Sequence, residues 1–106
     1  MILEDEGYQV ITVENGVEAI QKMREEKLDL VLLDVMMPGM SGIDTCRILK
    51  KISPESESIP IVMFTVLDDL GDRKRAEDAG CNGYFLKPFT AEDLVAEVKK
   101  YLEIQR

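Results

Sequence analysis

The chain has 106 residues, 45% hydrophobic and 32% charged, with 21 acidic against 13 basic side chains, a net charge of −8 and no histidine. That length suits one domain with its own core; the acidic surplus speaks against nucleic-acid binding through phosphate contacts, and the lack of histidine removes His-containing hydrolase triads and His-based zinc sites. No apolar stretch reaches the length of a membrane span and no charged-then-apolar leader opens the chain, so a soluble, cytoplasmic protein without membrane contact is expected.

In chain order, Tyr8–Val13 follows Gly7, is rich in β-formers and predicts a first strand. Asn15 is placed to cap a helix carrying Val17, Ala19, Ile20 and Met23. The run Leu30-Val31-Leu32-Leu33 ends in Asp34 and is followed by a loop that Pro38 keeps from being helical, the pattern of a strand buried on both faces. Ser41-Gly42 then opens a helix with Ile43, Cys46, Leu49 and Ile52 on one stripe. Residues 53–58 form a polar loop before a second buried strand, 59–65, which tolerates Pro60 at its start. Between Asp68 and Ala79 a helix is predicted whose apolar contributions are only Leu70, Ala76 and Ala79, ended by Gly80 as a C-cap. Tyr84-Phe85-Leu86 makes a short last strand before Lys87-Pro88, and Thr90 with Asp93 forms a capping box for a helix bearing Leu94, Val95, Val98, Tyr101 and Leu102. The order β-α-β-α-β-α-β-α is that of a doubly wound, parallel α/β sheet. Cys46 and Cys81 have neither CxxC nor metal-like spacing and read as reduced structural thiols.

Asp34, Thr65 and Lys87 stand at or just past the ends of three successive predicted strands. In a parallel sheet such ends converge on one crevice. A carboxylate, a hydroxyl and an ammonium gathered there suit a transferred phosphoryl group: Asp34 as nucleophile, Lys87 as a point charge on phosphoryl oxygens, Thr65 as a hydrogen-bond donor. Each residue alone has a plainer reading: Asp34 as a turn former, Thr65 as a β-branched strand residue, Lys87 as a solvated charge.

The stretches Leu32-Leu33-Asp34-Val35-Met36-Met37-Pro38-Gly39-Met40-Ser41-Gly42, Phe64-Thr65 and Gly83-Tyr84-Phe85-Leu86-Lys87-Pro88-Phe89 resemble the receiver domain of two-component response regulators, from about Gly7 to the C-terminus. The resemblance implies a flavodoxin-like fold and a phosphoacceptor signalling domain rather than an enzyme, capable at most of self-phosphorylation and autodephosphorylation. It implies phosphorylation of Asp34 by a sensor histidine kinase or phosphotransfer protein, with Thr65 and Lys87 as phosphoryl ligands. It also implies Mg²⁺ held by Asp34 and the Met36 main-chain carbonyl, and a switch formed by Thr65 and Tyr84. Tyr84 is equally readable as a surface strand residue. The face formed by the Asp68–Ala79 helix, the Tyr84 strand and the C-terminal helix is the expected surface for a downstream protein target.

The chain departs from the family at its start. Receivers begin with a strand ending in two acidic residues and then a helix, whereas only six residues precede Gly7. These read as the last turn of that helix, with Glu4-Asp5-Glu6 a solvated end at the wrong pole to replace the acidic pair. The expectation is therefore one receiver domain over residues 1–106, truncated at the N-terminus, with four strands and about four helices and no output domain. Mg²⁺ should bind weakly with so few protein oxygens. The strand ending at Asp34 should expose an unpaired edge unless Tyr8–Val13, or a strand from a second molecule in a homodimer, pairs with it. Val66, after Thr65, either hinders access to the site or simply packs. The alternative function is a pseudo-receiver, a phosphorylation-independent interaction or dimerisation module. A phosphatase of the haloacid-dehalogenase type ranks last, because Met36 stands where its second Asp belongs.

Overall fold

The computed structural model describes residues 2–36, 39–65, 70–86 and 89–104. Nine elements follow along the chain: α1 (Ile2–Asp5), α2 (Gly16–Glu25), β1 (Val31–Asp34), α3 (Gly42–Leu49), a 3-10 turn (Glu55–Ser58), β2 (Ile61–Thr65), α4 (Leu70–Asp78), β3 (Gly83–Leu86) and α5 (Ala91–Ile104). The strands form a parallel sheet in the order β1-β2-β3. Its register aligns Leu33 with Met63 and Tyr84, and Asp34 with Phe64 and Phe85. Parallel neighbours joined through helices make this the doubly wound α/β class expected.

Helix boundaries are set by local chemistry. Asn15 accepts the Glu18 N–H at 2.9 Å and Ser41 accepts the Asp44 N–H at 3.2 Å, each satisfying an orphan donor of its helix. Thr90 and Asp93 exchange side-chain-to-backbone bonds of 3.0 and 3.1 Å, the capping box read from the sequence. At the end of α4, Cys81 N–H reaches Ala76 and Gly80 N–H reaches Glu77, with Gly80 at φ +102, a left-handed closure that a side chain would strain. The same closure ends α1, where Tyr8 N–H reaches Leu3 and Gly7 has φ +91.

The Tyr8–Val13 strand does not form: among the described residues the sheet has three strands, not four. The segment has β-forming residues, but a strand exists only through a partner. Its first amide turns back to α1 instead of entering a ladder. Consequently β1 lies at the sheet edge. Among the described residues there are four helices of eight or more residues, with α1 a single turn besides. The expected loop at 53–58 contains the 3-10 turn, closed by Ser53 and Ser56 bonding each other's backbone.

One sheet face carries Leu33, Ile61 and Met63, buried with Ala19, Met23, Ile43, Cys46, Leu49, Ala76 and Ala79 from α2, α3, α4 and the turn after α4. The opposite face carries Leu32, Val62, Phe64 and Phe85; Val62 is fully buried and the rest are half-buried. There Gly83 leaves room for the Tyr101 ring of α5: a Cβ would overlap its hydroxyl.

At the pole where β2 and β3 begin, Lys50 Nζ donates to the Glu57 and Ile59 carbonyls (3.2 and 2.7 Å) and to Asn82 Oδ1 (2.8 Å). Asn82 Oδ1 also accepts the Ile61 N–H, and Tyr101 donates to the Asn82 carbonyl. Burial lowers the Lys50 pKa below its ordinary range.

Candidate functional site

Asp34 closes β1 at the pole opposite Lys50. Its Oδ1 accepts the Met36 N–H at 2.9 Å, so the side chain shapes the turn that leaves the strand. The chain then folds back tightly. Val35 N–H continues the ladder to Phe64, and Gly42 N–H donates to the Val35 carbonyl at 3.0 Å. A Cβ at Gly42 would overlap the Asp34 carbonyl oxygen, so only glycine lets the start of α3 sit on this backbone. The loop is braced from the other side by α2, where the Met40 side chain lies 3.3 Å from the position a Cβ on Gly16 would take.

Thr65 closes β2 one residue beyond Phe64, the partner of Asp34, and pairs with Leu86, the last residue of β3. Adjacent strands lie about 4.8 Å apart, so the ends of all three fall within about 10 Å across the sheet. The Thr65 side chain, Lys87 and Val66 lie outside the described residues, as do Asp68 and Asp69 at the start of the expected helix. What is described beyond Lys87 is Phe89, whose ring stacks on Phe85 at 4.7 Å and meets Phe64 edge-on at 6.4 Å. These rings wall the pole beside Asp34. Sequence reasoning gave Phe89 no role, although an aromatic just past a strand-ending Pro was the available signal.

Tyr84 lies on the α4 side of the sheet. The Arg73 guanidinium stands 5.1 Å from its ring centroid, a cation–π contact between α4 and β3. The α4 helix is thus held by this contact as well as by its buried Ala76, with Ala79 buried in the turn that follows.

Glu6 pairs with Lys99 of α5 at 3.3 Å, about 12 Å along that helix from its start. The Glu4–Glu6 acids therefore sit away from Asp34. Among the described residues no three His, Cys, Asp or Glu side chains gather as a metal-ligand group. Among the described residues, the Asp34 carboxylate and the main-chain carbonyls beside it are oxygen donors of the hard type that Mg²⁺ takes, usually with water and phosphoryl oxygens completing its octahedron. No helix among the described residues is long and apolar enough to cross a membrane.

The DNA-binding response regulator MtrA of Mycolicibacterium paratuberculosis is 40% identical over 102 residues, spanning 96% of this chain and 44% of that protein. This chain thus covers less than half the length of that relative. The CheY-like response regulator receiver domain protein from Methanospirillum hungatei superposes with a TM-score of 0.90 at 30% identity, over 98% of this chain and 81% of that one. The receiver domain of the sensor histidine kinase PA1611 from Pseudomonas aeruginosa, whose structure has a magnesium ion coordinated in its active-site cleft, superposes with a TM-score of 0.86 at 26% identity, over 96% and 83% of the two chains. Residues 1–99 match the response regulator receiver domain family. With a strand-end aspartate in a parallel sheet and this match over nearly its whole length, the chain belongs to that family.

Proposed function

We propose that Asp34 accepts a phosphoryl group from a phosphohistidine on a sensor kinase or phosphotransfer protein, and that residues 1–106 act as one receiver unit. The observation that carries this reading is the position of Asp34 at the sheet pole shared with the ends of β2 and β3, in level register. A carboxylate oxygen attacks phosphorus, the P–N bond breaks, and the imidazole leaves with the electron pair and takes up a proton. Thr65 donates a hydrogen bond to a phosphoryl oxygen and Lys87 neutralises another. Asp34 and the Met36 carbonyl would hold Mg²⁺, whose charge offsets that of the phosphoryl oxygens when it is bound. The Met36 N–H on Asp34 Oδ1 pins the carboxylate during attack. Signalling is a population shift in which Thr65 moves toward the new anion and Tyr84 changes its contact with Arg73 on α4. The α4–β3–α5 face then presents itself to a downstream protein.

Treatment with phosphoramidate and Mg²⁺ followed by intact-mass measurement tests this reading. A phosphoryl adduct is expected on the wild type and not on Asp34→Asn. An adduct of equal yield on both refutes it. The second reading is a phosphorylation-independent interaction module. It is favoured by the edge position of β1, whose outer backbone groups can template a strand from another molecule. Absence of any adduct together with a concentration-dependent dimer in sedimentation supports it.

A further inference from the structure

The most exposed large hydrophobic residues described are Val17 and Met36, both 65% exposed, whereas Ile11 and Ile48 reach 39%. Both stand at the Asp34 pole. Met36 is tied to Asp34 through its N–H, and Val17 stands in the first turn of α2. A hollow of about 410 Å³ lies between Val17 and the loop, lined by Asn15, Gly16, Val17, Glu18, Gly39 and Met40. Gly16 supplies no side chain, so the Met40 side chain forms its apolar floor. Glu18 in its lining accepts the Glu14 N–H, and the exposed Glu14 is a second acid close to the hollow. An apolar side chain as exposed as Val17, at the mouth of a hollow that Met40 also lines, suits a contact surface.

We infer that this hollow is a docking point for the phosphodonor protein, taking an apolar side chain of that partner flanked by Lys or Arg; this rests on Asp34 being the phosphoacceptor. A small phosphodonor needs no apolar footing, whereas a protein donor must be oriented before its phosphohistidine reaches Asp34. The hollow touches the same loop that Asp34 anchors, so a partner seated there is registered against the reacting carboxylate. The two acids complement a basic partner and speed its encounter.

The test compares two donors on one protein: the fastest of a panel of autophosphorylated histidine-kinase cores, and phosphoramidate. Val17→Lys and Val17→Asp should each slow kinase transfer about tenfold relative to phosphoramidate labelling, while Val17→Ile restores it. Glu14→Lys should slow kinase transfer less and flatten its salt dependence. Ile48→Lys, on α3 away from the hollow, is the control expected to change neither rate. Kinase transfer unchanged in both charged Val17 variants overturns the inference. So does an equal loss with both donors, or phosphoramidate labelling with no kinase in the panel acting as donor. Failure of phosphoramidate to label the wild type strikes instead at the phosphoacceptor reading.

Discussion

The two faces of the sheet are built to different standards. Helix α3 has eight residues and buries five, Gly42, Ile43, Thr45, Cys46 and Leu49. Helix α5 has fourteen residues, yet Val98 is the one fully buried among its described side chains. On the α3 side, strand residues Ile61 and Met63 are wholly shielded; on the α5 side, Leu32, Phe64 and Phe85 keep part of their surface. The lesson is that helix length does not measure anchoring. A short helix sandwiched between two others and a sheet contributes more than a long one leaning on half a face, because burial, not backbone length, carries the free energy.

The sharpest way to break this contrast is a pair of truncations. Leu49→Ala should cost about 3 kcal/mol, whereas Leu94→Ala, half-buried on α5, should cost about 1 kcal/mol. Urea denaturation reads both, and equal losses would abolish the asymmetry. The next largest effect is a pH dependence centred on the α3 side, to which Tyr101 of α5, its pKa also raised by burial, adds in the same sense as Cys46. Burial, with the nearby Cys81 thiol, pushes the Cys46 pKa from 9.0 up to about 11. Between those values the unfolded chain has lost its thiol proton and the fold has kept it, so stability falls as pH rises, by up to about 2–3 kcal/mol. Lys50 acts with the opposite sign: its lowered folded pKa means stability rises with pH from that value to 10.5. Cys46→Ala should therefore be less sensitive to alkali than the wild type in paired denaturation series at pH 8 and 10.5. Identical slopes would remove Cys46 as a cause.

Glycines give a third comparison. Gly42→Ala must displace the Asp34 backbone and should cost about 2 kcal/mol, with slower labelling of Asp34, while Gly83→Ala need only shift the tip of Tyr101 and should cost under about 1 kcal/mol. Thermal melts and phosphoramidate labelling of the two variants check this. Least of all, the caps should ignore the faces. Asn15→Ala on α2 and Thr90→Ala on α5 should each cost about 1 kcal/mol, because a cap satisfies its own helix. A clear inequality would show that cap energy is routed through packing.

What could be read from the residues was whatever depends on near neighbours in the chain. The buried run ending at Asp34, the cap at Asn15, the helix opening at Ser41-Gly42, the Thr90–Asp93 box and the Gly80 closure all depend on contacts within a few residues. Tyr8–Val13 failed because strand formation is decided by a partner far along the chain, which propensity cannot supply. Lys50 was invisible for a related reason. A lysine reads as a solvated charge until the fold brings three acceptors to it. The Arg73–Tyr84 contact likewise joins a helix and a strand whose relative placement no local pattern encodes. At the site, the strand-end position of Asp34 was legible from one run of residues, while Gly42 and Phe89 acquired their roles only when the loop and sheet were assembled.

The Lys50 junction carries a consequence for exchangeability. An ammonium directs its three hydrogens along the corners of a tetrahedron, and here they meet three acceptors from two stretches of chain, the Glu57 and Ile59 carbonyls and the Asn82 side chain. A guanidinium is flat and forked, so Lys50→Arg would preserve the charge and still leave a carbonyl unanswered. At this position the customary conservative swap is a disruptive one.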